Sequence, residues 1–187
     1  MPTFITVPQD STASDGKQVT DFTPPNGRWT PGTFETDFPF ALLHGSIAAI
    51  VRQLEPGEPL GDPEKIIEVN NEWEVDVRWD LKGRAVPFIC GQWRARLFLE
   101  SLGDDTLDRE AKYPVDIPVD QRKDSYHAQF RIGRDLLKVE ADGGTPFKPA
   151  VNVIFMVNDA GTLKPGPIVG YVSLAVINCF REVVVAP

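Results

Sequence analysis

The chain has 187 residues, 42% hydrophobic and 25% charged, the size of one domain with or without an extension and enough to bury a core without staples. A net charge of −8 at pH 7 and a pI near 4.8 argue against a nucleic-acid binder, because phosphate recognition needs clustered Lys and Arg. No run approaches the roughly 18 apolar residues of a membrane-spanning helix, so no membrane partner is expected.

After Met1 come Pro2, Thr3 and Phe4, without the basic leader and apolar run of a signal peptide, and the expected location is the cytoplasm. Residues 1–36 are rich in Thr, Pro, Asp and Gly and hold no sustained period of 2 or 3.6, the composition of an extended, flexible N-terminal arm. Its aromatics do not fit a solvated tail: Phe4, Phe22, Trp29 and Phe34, with Phe38 and Phe40 just beyond, would each bury a large apolar area. Such an arm packs on its own domain or docks on a neighbouring subunit.

Residues 37–187 read as one all-β domain. Leu43, Ile47, Ile50, Val51 and Leu54 fit a helical stripe as well as a strand, and the β-branched residues favour a strand over Ile47–Leu54. Between Trp73 and Leu81 the odd positions are apolar and the even ones charged (Glu74, Asp76, Arg78, Asp80), the alternation of a strand with one wet face. Residues 92–100 repeat the pattern with odd positions inward, and 126–132 with even positions inward. Trp73, Trp79 and Trp93 fall on inward phases and belong to the core, which leaves Trp29 free to serve an interaction.

Two further strands are expected at 151–158 and 167–181, joined by the turn-rich stretch 159–166. Along Ile168–Phe180 both faces are apolar: Ile168, Val172, Leu174, Val176 and Phe180 on one, Val169, Tyr171, Ala175, Ile177 and Cys179 on the other. The preceding strand opposes Ile154 and Met156 to Val151, Val153, Phe155 and Val157. A strand apolar on both faces needs cover on both, from the arm, a loop or another subunit. Trp29, Phe34, Ile154, Met156, Val169, Tyr171 and Ile177 are therefore the candidate interaction residues, and the terminal run Val183–Val185 adds a β-branched segment that favours pairing.

The succession of a Trp-flanked strand at 73–81, a strand opening with Trp93, a Tyr-led strand at 126–132 and a terminal apolar pair resembles an immunoglobulin-like or fibronectin-III-like fold over residues 46–187. The resemblance implies a two-layer antiparallel β-sandwich with loops clustered at its two ends, and it carries no activity over. Cys90 and Cys179 are not placed as the intersheet bridge of antibody domains; one bridge between them and two free thiols both remain open.

Catalytic and metal signatures are sparse. The only histidines are His44 and His127. Ser125 and His127 share a strand face with Asp124 adjacent, but neighbours on one strand rarely reach the contacts of a triad, so His127 reads as a solvated surface residue. Asp104, Asp105, Asp108 and Glu110, or Glu140 and Asp142, crowd loops without the spacing of a calcium site. No phosphate-binding glycine loop occurs, and no cofactor or metal is expected. The sequence thus points to a non-enzymatic interaction or assembly module, joining itself or a larger protein complex. The alternative is a sandwich that binds a carbohydrate or a small apolar molecule.

Overall fold

The computed structural model describes residues 29–54, 65–102, 109–110, 114–134, 136–137, 139 and 144–181. Phe4, Phe22, the acidic positions 104–108, Glu140, Asp142 and Val183–Val185 lie outside them, as does the side chain of Glu110. Among the described residues twelve strands follow in chain order: β1 (Thr30–Pro31), β2 (Thr33–Thr36), β3 (His44–Leu54), β4 (Ile66–Glu68), β5 (Glu72–Lys82), β6 (Gln92–Ser101), β7 (Arg109–Glu110), β8 (Val115–Pro118), β9 (Ser125–Ile132), β10 (Thr145–Asp159), β11 (Thr162–Ser173) and β12 (Ile177–Phe180). The segment that fitted both a helix and a strand is strand β3.

One sheet runs β1-β3-β5-β9, and the other is centred on β10, which pairs with β11 and β12 on one side and with β6 on the other; β8 continues beyond β6. Of the six long strands, the first, second and fourth share one sheet and the third, fifth and sixth share the other. This is the A-B-E and C-F-G arrangement of an immunoglobulin-like sandwich, with β8 as an additional strand beside the third.

Between the layers, inward residues are matched by register. Ile47, Trp79 and Tyr126 lie side by side across β3, β5 and β9, as do Val51, Val75 and Phe130. Opposite them, Trp93 pairs with Phe155 and Leu97 with Val151. Trp73, Trp79 and Trp93 are all buried, as their phases require. Trp79 meets Trp93 edge-on and Tyr126 in a stack, both at 5.8 Å between ring centroids. Trp93 also packs on Phe155 at 5.3 Å. The Tyr126 hydroxyl donates to the Asp120 carbonyl (3.1 Å), tying this aromatic cluster to the loop before β9.

Residues 30–36, which composition places in the arm, are strands of both sheets. Thr30 and Pro31 pair with β3, and Thr33–Thr36 pair with β11, so one short segment crosses from layer to layer along a flank of the sandwich. The crossing is at Gly32, whose amide donates to the Ile47 carbonyl (2.8 Å). A Cβ there would stand 2.2 Å from the Tyr171 oxygen and 2.6 Å from a Val172 methyl, so only glycine fits between the layers at this point. Thr, Pro and Gly gave this segment a loop-like composition, but its backbone finds partners on both sides.

The apolar stretch from Ile168 to Phe180 is not one continuous strand. Ser173 pairs with Ala150 and Ile177 with Phe147, so four steps along β11–β12 face three along β10. One extra residue flips the side-chain phase, because a strand's period is 2. Ile168, Val172 and Leu174 are buried before the flip, and Ile177 and Cys179 after it. The apparent two-faced strand is thus a one-faced strand whose inward face changes parity at 174–176. Ile177 accordingly belongs to the core, which corrects its reading as an interaction residue. Cys90 and Cys179 are free thiols; Cys90 is exposed, and burial pushes the Cys179 thiol up to about 12.

Candidate functional site

β3 starts, β5 ends, β6 starts, β9 starts and the β10–β11 hairpin turns at one end of the sandwich, so the loops 37–43, 83–91 and 119–124 gather there. The first two are bound together: the Ala85 amide donates to the Leu42 carbonyl (2.9 Å). Gly83, at φ +123°, packs so closely that a Cβ would stand 2.3 Å from the Leu42 oxygen. Each loop offers a phenylalanine to solvent. Phe40 is 75% exposed, and Phe88, closing a one-turn 3-10 helix at Val86–Phe88, is 80% exposed. Phe40 is held rather than loose: its ring stacks on His44 with centroids 4.1 Å apart, and His44 Nδ1 lies 3.0 Å from the Phe40 carbonyl oxygen.

Beside Phe40 opens a cleft of about 660 Å³ between the β2–β3 connection and β11. Phe34, Phe38 and Phe40 line it together with Glu35, Asp37 and His44, and Val169 stands at its margin. Phe34 lies against two glycines: a Cβ on Gly45 would come 2.6 Å from its ring, and one on Gly170 3.4 Å. The side chains missing at 45 and 170 leave the room that the ring takes. Thr36 Oγ accepts the Phe38 amide (3.2 Å), fixing the turn that carries the chain to Phe40.

The second chemically dense surface is the outer face of the β1-β3-β5-β9 sheet. The charged residues of β5 were expected to face water, yet Glu74 and Asp76 are each 1% exposed. Register explains this: Arg52 and Arg131 flank Glu74 across the sheet, and Ile50 and Gln129 flank Asp76. Arg52 lies 3.7 Å from Glu74 and 3.5 Å from Asp76, and Arg131 3.8 Å from Glu74. His127, which read as a solvated histidine, places Nε2 2.5 Å from Asp76. Ser125 donates its hydroxyl to Asp80. Serine and histidine therefore engage different carboxylates, and the triad geometry is not formed. Burial and then the neighbouring Asp76 raise the Glu74 pKa, against the pull of Arg52, Arg131 and His127; burial likewise raises that of Asp80, opposed first by the Ser125 hydrogen bond.

Trp29 caps this face. It is 5% exposed, packed with Ala48 and Ile50, with the guanidinium groups of Arg52 and Arg78 over its ring at 5.6 and 4.9 Å. The free tryptophan anticipated from the arm is thus a structural one. Of the other candidates, Phe34 and Val169 meet at the cleft. Ile154 pairs with Val169, and Tyr171 with Asn152, on the outer face of the β10–β11 sheet, where Tyr171 is exposed and Ile154 half-buried. Met156 is buried. Phe88 carries no periodic signal in the sequence, although Gly83 and Gly91 bracket it as a turn region would. Among the described residues, no group of three or more His, Cys, Asp and Glu is placed to hold a metal ion.

No family model matches the chain, and no curated protein matches it. Among solved structures it is similar to the CARDB domain of the PF1109 protein from Pyrococcus furiosus, described as a complex with di-metal ions. The match has 11% identity and a TM-score of 0.37, and covers 78% of this chain and 100% of that one. The metal ions are that domain's. The immunoglobulin-like assignment here rests on strand order and register.

Proposed function

We propose that the chain is a non-catalytic immunoglobulin-like module that binds a protein partner, within a larger assembly or as a second copy of itself, through the end bearing Phe40 and Phe88. The observation that carries this reading is the exposure of two phenylalanine rings on loops hydrogen-bonded to each other. Each exposed ring forgoes about 2–3 kcal/mol of burial, which a partner recovers. Loops on a rigid sandwich are where such modules bind, and central aromatic anchors dominate interfaces. The test is the double variant F40S/F88S. Both rings are exposed, so its melting curve should match that of the parent chain. Sedimentation over a concentration series, with cross-linked capture from the native source, should reveal self-association or a partner that the variant loses. A strict monomer with the same captured proteins for both chains overturns the reading.

A second reading is favoured by the cleft, whose volume falls in the range of about 300–1,000 Å³ usual for small-ligand sites. Its aromatic walls suit a carbohydrate or a small apolar molecule. A thermal-shift panel of glycans and lipids tests it, and no stabilisation at millimolar concentrations sinks it.

A further inference from the structure

Among the described residues, every open sheet edge but one is short. β1, β2, β4, β7 and β8 have two to four residues each, and β1 and β8 carry proline. Such edges offer little to another strand. β9 ends the first sheet with eight residues, Ser125–Ile132, among them no proline, glycine or lysine. The Leu81 amide donates to the Asp124 carbonyl (2.7 Å), so these two form a hydrogen-bonded pair, and every second pair along the β5–β9 register repeats it. Tyr126, Ala128, Phe130 and Ile132 therefore turn their backbone groups toward β5. Ser125, His127, Gln129 and Arg131 turn theirs to the open edge, where no described residue bonds them.

We propose that two copies of the chain join edge to edge through β9, antiparallel about a two-fold axis at Ala128, so that the two four-stranded sheets become one. Only the odd residues offer bonds across the edge, so they must face one another. The register that sets Ser125 beside Arg131 of the second copy, and His127 beside Gln129 of the second copy, engages all four. It opposes no like charges, whereas sliding by two residues sets His127 beside itself in one direction and beside Arg131 in the other. On the inner side, Tyr126 falls beside Phe130 of the second copy, a cross-strand aromatic pair. Ala128 meets its counterpart at the axis, where a non-hydrogen-bonded pair brings the Cα atoms to about 4.5 Å. On the outer side, Arg131 lies 3.8 Å from its own Glu74 and comes to stand beside a second Ser125, whose hydroxyl is bonded to Asp80. The basic residue thus has an acidic one on each side. This contact uses neither Phe40 nor Phe88 and is additional to the partner-binding end.

Sedimentation of the full chain over a concentration series should show a monomer–dimer equilibrium that F40S/F88S leaves unchanged. Gln129→Pro removes an outward amide and keeps every bond to β5, so it should weaken dimerisation about tenfold or more while melting as the parent does at concentrations where both are monomers. Gln129→Lys places on the edge the charge that commonly guards one. It should weaken the dimer several-fold, and it decides the matter if the proline variant does not fold. The register is read by mixing H127C and Q129C chains, both carrying C90S, under oxidation. Hydrogen-bonded neighbours stand about 5.5 Å apart between Cα atoms, within the span of a disulfide, so the mixture should cross-link faster than either chain alone. A monomer at every concentration, a dimer that a folded Gln129→Pro chain retains, or equal cross-linking of mixed and single chains overturns the inference. A dimer dissolved by F40S/F88S overturns it in favour of self-association through the loop end. A monomer that still captures a partner through Phe40 and Phe88 overturns it and leaves the partner-binding reading standing.

Discussion

The Arg78 guanidinium lies 4.9 Å from the centroid of the Trp29 ring, and the same residue's terminal nitrogen is 3.9 Å from Asp76. One arginine thus joins the first described residue of the chain to a carboxylate buried in the middle of β5. Trp29→Ala should cost about 3 kcal/mol, the usual loss for a large aromatic packed on an apolar patch. Arg78→Ala should cost about 0.5–1 kcal/mol, because its side chain is partly exposed and a cation–π contact in water is weak. Urea denaturation measures both. A Trp29→Ala chain as stable as the parent would mean that Ala48 and Ile50 are covered by something else.

Glu74 makes a pH-dependent prediction. Its folded pKa is raised by burial and by Asp76 above the ordinary glutamate value. A raised carboxyl favours the folded state when protonated, so its stabilisation is present below the unfolded pKa and is lost as pH rises through the folded pKa. Glu74→Gln stays neutral throughout. It should therefore exceed the parent in stability at pH 8, with the gap closing as the pH falls toward 4. Denaturation midpoints across that range would show it; a variant that is weaker at every pH would mean that the arginines, rather than burial, dominate this carboxylate.

Gly32→Ala should destabilise by roughly 1–3 kcal/mol, since its methyl meets the Tyr171 carbonyl at 2.2 Å and neither backbone can yield freely. Gly161→Ala is the control. Its Cβ meets nothing within 4 Å, and its only burden is a φ of +88°, so its cost should stay near 1 kcal/mol. If the two substitutions lower the melting temperature equally, close approach of the layers is not what requires glycine at 32.

The parity flip is testable through the thiols. A colorimetric thiol reagent should titrate Cys90 at once and Cys179 only on unfolding, because Cys179 is buried and its thiol is held near 12. Deleting Val176 would restore three steps against three, so Ile177 and Cys179 keep their pairing with Phe147 and Thr145 and stay inward. The variant should therefore stay folded with Cys179 protected, whereas an alanine inserted after Val176 should turn both residues outward and leave both thiols reactive. A deletion variant whose Cys179 reacts in the folded chain would show that the extra residue is not what changes the parity.

Much of the sandwich was legible because period 2 is a strong signal wherever one face is polar. The stretches 73–81, 92–100 and 126–132 could hardly be read otherwise, and the inward placement of their tryptophans followed from phase. The signal failed where phase and exposure part company. Glu74 and Asp76 looked wet because charge usually is, and only the register that sets Arg52 and Arg131 across from Glu74 buries them. The insertion at 174–176 was invisible because both phases there are apolar, so a shift of one residue leaves no gap in the pattern. Thr30–Thr36 lacks the alternation of a strand, since Gly32 must cross between layers and Pro31 sits on an edge. Of the candidate site, the aromatics around Phe34–Phe40 stand out in composition, but their meeting with Val169 across the β2–β11 pairing needed the fold. His44 and Phe88 belong to it through loop contacts that no local pattern announces.

The lacing of residues 30–36 to both layers has a mechanical consequence. A pull applied to the chain upstream of Trp29 reaches β3 through Thr30 and Pro31 and β11 through Thr33–Thr36, so its load divides between the two sheets at one flank. At the opposite flank β8 and β9 end their separate sheets and are joined through residues 119–124, at the end of the sandwich where the loops gather. Tension applied upstream of Trp29 would thus be shared by both layers along one flank and carried at the loop end on the other, like a book held by its spine and one clasp.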